Sequence, residues 1–428
     1  MPSSEWLVAN GIGGFACGNV DGSMTRREHG LLIAGPAPPV RRTRLLSRVV
    51  ERVEYRGASF DLQCDSERFS LDGSIPVWQF VLGDALVERR IAIRPGANVT
   101  VVNYRVLRAR SPLRFIVKML VVHCGVAEAM HAAGRELRVD RAGDAVRVRA
   151  TSAGGVPLFL ETDRGIIRPE HAWSRDDGED RLQAATVSVD VVAGEEFTLR
   201  ASAGAPPDED ALETLARAAE RDGELLGAWE RSAGERARAA PPEIRALVLA
   251  ADRFIVAHPL PGFPEGRSIV ADYPGGEERS RDAMIALPGL TLATGRYDVA
   301  RTILRTFDRF IERGTLPPVV SEGTAPEPGS AEAALRFVLA VHAYLDASGD
   351  GAALAEFWPT LLAIVDRPQS EPSALWSDAL RALAALAQRA GDDAAPGNAI
   401  ADACGVAEAL LAWHTLSPDD PRAVRESV

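Results

Sequence analysis

The chain has 428 residues, 46% hydrophobic and 25% charged, with a formal net charge of −12. That length exceeds one ordinary domain, and the balance is that of a soluble globular protein. The acidic surplus excludes nucleic acid and anionic membranes as natural partners, and no run approaches the roughly 20 apolar residues of a membrane span. The opening MPSSEWLVANG lacks the basic and apolar regions of a signal peptide, so the cytoplasm is expected. Cys17, Cys64, Cys124 and Cys404 are scattered without a C-x-x-C, and the His residues show no ligand spacing. Reduced, mostly buried thiols are therefore expected, with no metal site and no cofactor.

In chain order, residues 5–34 begin with EWLVANGIGGFACGNVDGSMTRREHGLLIA. Gly11, Gly13, Gly14, Gly18 and Gly22 are too many for a helix and predict tight turns between short strands. Gly11-Ile12-Gly13-Gly14 is not followed by the Lys-Ser/Thr of a phosphate loop, so a turn is the reading. From residue 30 to 203 strand follows strand, among them VVERVEY, VWQFVLG, VTVVNYRVL, LRFIVKMLVV and TVSVDVV. Short alternating or β-branched runs with turn residues between them predict a large antiparallel β-sandwich. Thr100, Val102, Tyr104 and Val106 should share one face, and Trp78 and Phe80 should be core. His123 reads as a satisfied core or loop histidine.

Residues 204–241 form a helical linker, with Leu212, Leu215, Ala218 and Ala219 on one stripe and proline pairs at its ends. Beyond it, helices are expected at about 242–257, 282–294, 297–313, 330–347, 351–365, 372–390 and 398–415. Short Gly-containing loops such as Ala293–Arg296 and Ala347–Asp350 predict antiparallel hairpins. The stretch 266–290, GRSIVADYPGGEERSRDAMIALPGL, runs from a strand through a Pro-Gly-Gly turn into a helix near Asp282. Such junctions place polar groups at cavity mouths, and this one carries Glu277, Glu278, Arg279, Arg281 and Asp282.

Two separated segments carry a resemblance to glycogen debranching enzymes of the amylo-α-1,6-glucosidase type. Glu5-Trp6-Leu7-Val8 and Thr25-Arg26-Arg27-Glu28-His29-Gly30-Leu31-Leu32 resemble the family's opening, with Glu28 in place of Tyr. Arg267–Tyr273 and Arg281–Leu290 resemble the loop before a barrel helix. Between them, 275–280 replaces the family's aromatic Trp-Phe-Thr-Asp-Trp-Gly run. The resemblance implies an α-helical domain of (α/α)6 barrel type after the sandwich. A complete barrel closes six hairpins, whereas this sequence offers about seven helices, so the domain reads as incomplete.

The family's chemistry is glycoside hydrolysis by two carboxyls, one a proton donor and one a base or nucleophile, roughly 5–9.5 Å apart according to stereochemistry. By position, Asp282, Glu332 and Glu371 are the catalytic candidates, with Glu322 and Asp366 as further acidic candidates. Arg267, Arg281, Glu278 and Trp376 are candidates for substrate binding. The resemblance also implies losses. Ile364–Ser370 bridges the gap where the family's Thr-Trp-Met-Asp acid belongs, and GDDAAPG at 391–397 replaces the segment bearing its Glu base. The sugar-stacking aromatics have become Gly275, Gly276, Arg279 and Arg336. Bland readings stand beside these: Asp282 as a helix-start acid, Glu277 and Glu278 as loop charges, Glu371 as a first-turn acid, and Trp376 and Trp413 as core.

Three readings follow. The chain is a debranching-enzyme relative acting on α-1,6-linked glucosides, a non-catalytic glucan-binding or interaction module, or a repurposed pocket with different acid–base chemistry. The expected partner is a carbohydrate or other small molecule, and apolar helix faces exposed by a shortened barrel would favour a homodimer.

Overall fold

A computed structural model of the protein describes residues 4–35, 42–62, 68–133, 136–151, 155–176, 178–205, 207–275, 277–320, 329–366 and 374–392. The chain divides into two compact units, 1–227 with 240–253, and 228–239 with 254–428. The helix expected within the linker contributes to both.

Among the described residues the first unit holds sixteen strands in two antiparallel sheets. In chain order they are β1 (Glu5–Ala9), β2 (Phe15–Asn19), β3 (Gly30–Ala34), β4 (Thr43–Tyr55), β5 (Ala58–Asp61), β6 (Phe69–Asp72), β7 (Ile75–Leu82) and β8 (Ala85–Ile93). These are followed by β9 (Val99–Arg108), β10 (Leu113–Gly125), β11 (Leu137–Ala142), β12 (Ala145–Ala150), β13 (Leu158–Thr162), β14 (Ile166–Asp176), β15 (Glu179–Val191) and β16 (Glu196–Ala203). One sheet has the order β1-β2-β3-β4-β10-β15-β14 with β5 added to β4, and the other β11-β12-β13-β16-β9-β8-β7-β6. The first glycine-rich turn behaves as expected: Gly11 and Gly13 take positive φ, and the Asn10 side-chain oxygen accepts from the Ile12 and Gly14 amides.

The two-residue side-chain period decides what is buried. Val102, Tyr104 and Val106 enter the main core with Trp78, Phe80, Phe115 and Phe197. Tyr104 stacks on Phe197 at 4.9 Å, and the Trp78 indole donates to the Val20 carbonyl at 2.8 Å. Val101, Val77, Ile75 and Ala92 point the other way and form a second small core with Ala211 and Ala218 of α1 (Ala211–Ala233). Asp222 of that helix accepts from the Ser74 amide at 2.6 Å. Gly73 makes room for it, since a Cβ there would lie 2.3 Å from the Asp222 carboxylate. His123 donates through Nε2 to the Val156 carbonyl at 3.0 Å and is structural. Cys17 and Cys124 are buried thiols not joined in a disulfide, and burial pushes the Cys17 thiol up to about 12. Cys64 and Cys404 lie outside the described residues.

The second unit is helical apart from a small hairpin, β17 (Ile255–Ala257) with β18 (Arg267–Ile269). After α1 come α2 (Glu235–Arg238) and α3 (Pro242–Asp252), the latter belonging to the first unit. Helices α4 (Ser280–Leu287), α5 (Tyr297–Asp308), α6 (Ala331–Ser348), α7 (Gly351–Val365) and α8 (Ala374–Asp392) follow. Ser330 caps α6 by accepting from the Ala333 amide, Gly349 ends it in the left-handed region, and Asp350 caps α7. The helix expected through 294 ends at Leu287 and passes into a π-helical turn, 288–292, where Pro288 cannot supply its amide. The helix expected to reach 257 stops at Asp252, because Ile255–Ala257 pairs with β18 instead. The segment expected to be helical at 398–415 lies outside the described residues. Met284, Leu287, Ile303, Phe307, Phe337, Phe357 and Trp376 meet in one core.

The first unit also buries charge. Arg44, fully buried, is paired with Glu179, whose Oε2 lies 3.0 Å from Nη1. Glu179 also accepts from the Met130 amide at 2.9 Å, and Arg44 donates to the Glu128 carbonyl at 2.9 Å. A buried ion pair costs desolvation and tolerates the loss of both partners far better than the loss of one. Glu179→Ala should cost about 3–5 kcal/mol, read as a lower urea midpoint of the β-sheet circular dichroism. The double variant Arg44→Met/Glu179→Leu should recover most of that loss, and an equal loss in both variants would contradict the assignment.

Candidate functional site

The loop between β18 and α4 is built by its neighbours. The His258 amide donates to the Gly266 carbonyl at 2.7 Å, closing the β17–β18 hairpin. Gly266 is needed there, because a Cβ would lie 2.2 Å from the His258 carbonyl oxygen. Farther on, the chain from 277 to 280 runs beside 317–320. The Val320 amide donates to the Glu278 carbonyl at 3.1 Å, the Ser280 amide to the Pro318 carbonyl at 2.9 Å, and the Ser280 hydroxyl to the Pro317 carbonyl at 2.5 Å.

At the centre of this loop is a pair that the sequence reading did not identify. His258 is fully buried, and its Nδ1 lies 2.6 Å from Glu278 Oε2. The Phe310 ring stands edge-on to the imidazole at 5.8 Å. To bond the carboxylate, Nδ1 carries a hydrogen, and the buried Nε2 has no hydrogen-bond partner among the described residues. A carboxylate bonded to one ring nitrogen fixes the tautomer and the orientation of the ring. The only sequence signal was one histidine closing an apolar run, FIVAHPLPG.

The candidates named from sequence fall in different places. Glu278 belongs to the buried pair just described. Asp282 and Glu332 converge on one guanidinium: Arg281 donates to Glu332 Oε1 at 2.8 Å and lies 3.6 Å from Asp282 Oδ1. All three side chains are well exposed, at 55% for Arg281, 37% for Asp282 and 49% for Glu332. Asp282 sits in the first turn of α4 but makes no capping bond, the cap position being Arg279. Arg279 itself is exposed and paired with Glu277 at 2.9 Å. Arg267 is half-buried on β18, where its amide donates to the Thr306 hydroxyl at 3.0 Å. Trp376, named as a substrate contact, is instead buried at 6% exposure among the helices, because α8 turns that side inward. Asp366 caps the end of α7 and is exposed. Glu371 and Glu322 lie outside the described residues. Among the described residues no cluster of His, Cys, Asp and Glu has the arrangement of a metal site, and no helix is long and apolar enough to cross a membrane.

Two family models match the chain in order. Residues 4–198 match the glycogen debranching enzyme N-terminal model, and residues 249–370 match the amylo-alpha-1,6-glucosidase model. The chain belongs to the glycogen debranching enzyme family. No curated protein matches it. Among solved structures, a bacterial glucoamylase complexed with acarbose is similar, with a TM-score of 0.53 and 11% identity, over 95% of this chain and 68% of that one. A protein described as a kojibiose phosphorylase, from the human microbiome, aligns with a TM-score of 0.47 and 10% identity over 95% of this chain. The debranching-family chain spans 66% of that protein's length. At these identities the glucoamylase likeness concerns the fold, a large antiparallel β-sheet domain followed by helices, and the family and fold together mark a glycoside hydrolase-like protein.

The two polar groups of the loop should respond differently to removal. Glu278→Ala strands a buried imidazole and should cost about 1–3 kcal/mol, lowering the thermal midpoint of the helical unit. Arg281→Ala removes only exposed contacts and should leave that midpoint unchanged. Equal effects would show that the His258 bond does not hold the loop.

Proposed function

We propose that this debranching-family protein is directed at α-glucan and that its helical unit holds glucan without hydrolysing it. The observation that carries this reading is the convergence of Asp282 and Glu332 on Arg281. A carboxyl that gives a proton to a leaving group needs surroundings that keep the proton on it, such as apolar burial, and its partner must stand free across the scissile bond. Asp282 and Glu332 are exposed and share a guanidinium, which suits neither task. The matching helical segment also lacks the aromatic run at 275–280 on which a sugar ring would be gripped for cleavage. What remains suits recognition: hydroxyl-seeking carboxylates and guanidinia on a loop fixed from below.

The helical unit is read in this proposal as an incomplete (α/α)6 barrel, which fits the loss of the segments that carry the family's acid and base. The alternative, hydrolysis by a substitute pair that includes Glu371, is tested directly. Purified protein incubated with a branched limit dextrin should release no glucose above the buffer control, while glycogen cast into a native gel should retard its migration. Glucose release that disappears in Asp282→Asn or Glu371→Gln would overturn the non-hydrolytic reading.

A further inference from the structure

The first unit has a cleft of its own, about 510 Å³ in volume, walled by β1–β4 and the end of β5 on one sheet and by β8 on the other. Aligned sandwiches ordinarily fill the space between their sheets with side chains. A cleft of this volume falls within the roughly 300–1,000 Å³ of small-molecule sites. Its deep wall contains Trp6, Leu31 and Ile91, and its rim contains the exposed residues Asp21, Ser23, Val50 and Asp61.

The polar groups in it are held in place. Glu51 is buried and accepts from Arg89 at 2.7 Å and from the Tyr104 hydroxyl at 2.8 Å. The Arg89 guanidinium lies over the Trp78 ring at 4.5 Å. This ion pair joins β4 of one sheet to β8 of the other. Apolar residues would fill such a position at no loss of stability, so a buried pair at the back of a cleft is a candidate for recognition. Asn19 is likewise buried and lines the cleft. Its amide nitrogen donates to the Ser23 carbonyl, the Ser23 hydroxyl and the Thr25 hydroxyl, each at 2.9 Å. Its oxygen has no partner among the described residues, and an unsatisfied buried acceptor calls for an explanation. Asp21 is committed to the Ser23 amide and hydroxyl, which hold its carboxyl below the usual range.

Charge decides the ligand class. Glu51 is matched by Arg89 and Asp61 by Arg52 at 3.2 Å, while Arg48 and Asp21 add one charge of each sign to the lining. Opposite signs alternate, so no net field selects an anion or a cation. Acceptors and donors stand side by side around an indole and aliphatic wall. Hydroxyl groups, each both donor and acceptor, satisfy such a set. We infer that the cleft between β1–β4 and β8 is a binding site for a neutral polyhydroxylated ligand, one or two sugar units in size. The site lies wholly within the first unit and does not rest on the reading of the helical unit.

The test titrates the full chain with maltose, isomaltose and sorbitol by calorimetry, with glucose 1-phosphate as an anionic probe. Saturable binding of a neutral probe is expected in about the millimolar range. Val50→Trp, which fills the cleft from an exposed rim position, should weaken it about tenfold or more. Asp61→Ala should weaken it less, and Arg381→Ala, at an exposed position on α8, should leave it unchanged. Circular dichroism identical to wild type confirms that the variants are folded. The inference is overturned if no neutral probe binds, if glucose 1-phosphate binds in preference, or if Val50→Trp leaves binding intact.

Discussion

A buried imidazole decides the course of the loop on which this protein's functional reading turns. His258 has no access to water, so whatever meets its Nδ1 has to come from the chain. Glu278 is that group, and placing its carboxylate there fixes the backbone from Glu277 to Ser280 against 317–320. With Ser280 set, α4 begins there, and Arg281 and Asp282 occupy its first turn. Their outward position is therefore a consequence of an inward one three to four residues earlier.

That order of causes bears on chemistry. In a loop fixed by a buried pair, the residues at the helix start can form only the contacts that their Cβ directions allow. Arg281 reaches Glu332 on α6 and keeps Asp282 within ion-pair distance. The Arg281–Glu332 contact is an exposed ion pair with Asp282 at its edge, and such exposed pairs contribute little to stability. Nothing in the fold needs them in this arrangement, so their charges are free to meet a ligand's hydroxyls. The same exposure makes them poor instruments for proton transfer, which depends on a local environment different from bulk water.

How much of this was legible in the sequence follows from the reach of each signal. The sandwich was legible because a two-residue period marks burial locally: Val102, Tyr104 and Val106 face one core, and Val101 faces another. The helices from 297 to 392 were legible from apolar spacing and from end signals such as Ser330, Gly349 and Asp350. Helix ends were misplaced where another contact competed: at Ile255–Ala257, which pairs as a strand, at Pro288, and after Asp308, where the helix expected to reach 313 gives way to a Glu312–Thr315 bridge. The His258–Glu278 pair joins positions separated by 20 residues through a turn, and no periodicity carries that information. Trp376 was left between a substrate contact and the core because a tryptophan on a helix reads alike in either role; only the direction of α8 decides. The cleft of the first unit was invisible for the same reason, since its walls come from six strands on two sheets.

The segments that reveal the family are, in this structure, mostly segments that hold it folded. Trp6, Leu31 and Leu32 of the opening stretch are buried in the sandwich core. Ala283, Met284 and Leu287 of the second stretch are buried in the helical core. Substituting such residues opens cavities costing about 2–5 kcal/mol each, a large part of the stability of any domain. Exposed carboxylates carry no such penalty, and Asp282 and Glu332 enter neither core. Packing therefore restrains the residues by which the family is recognised much more strongly than those by which it would cleave a glycosidic bond. A chain can keep the first set intact while its acidic residues change partners, so family membership and hydrolysis are separate properties here, and only the site can speak for the second.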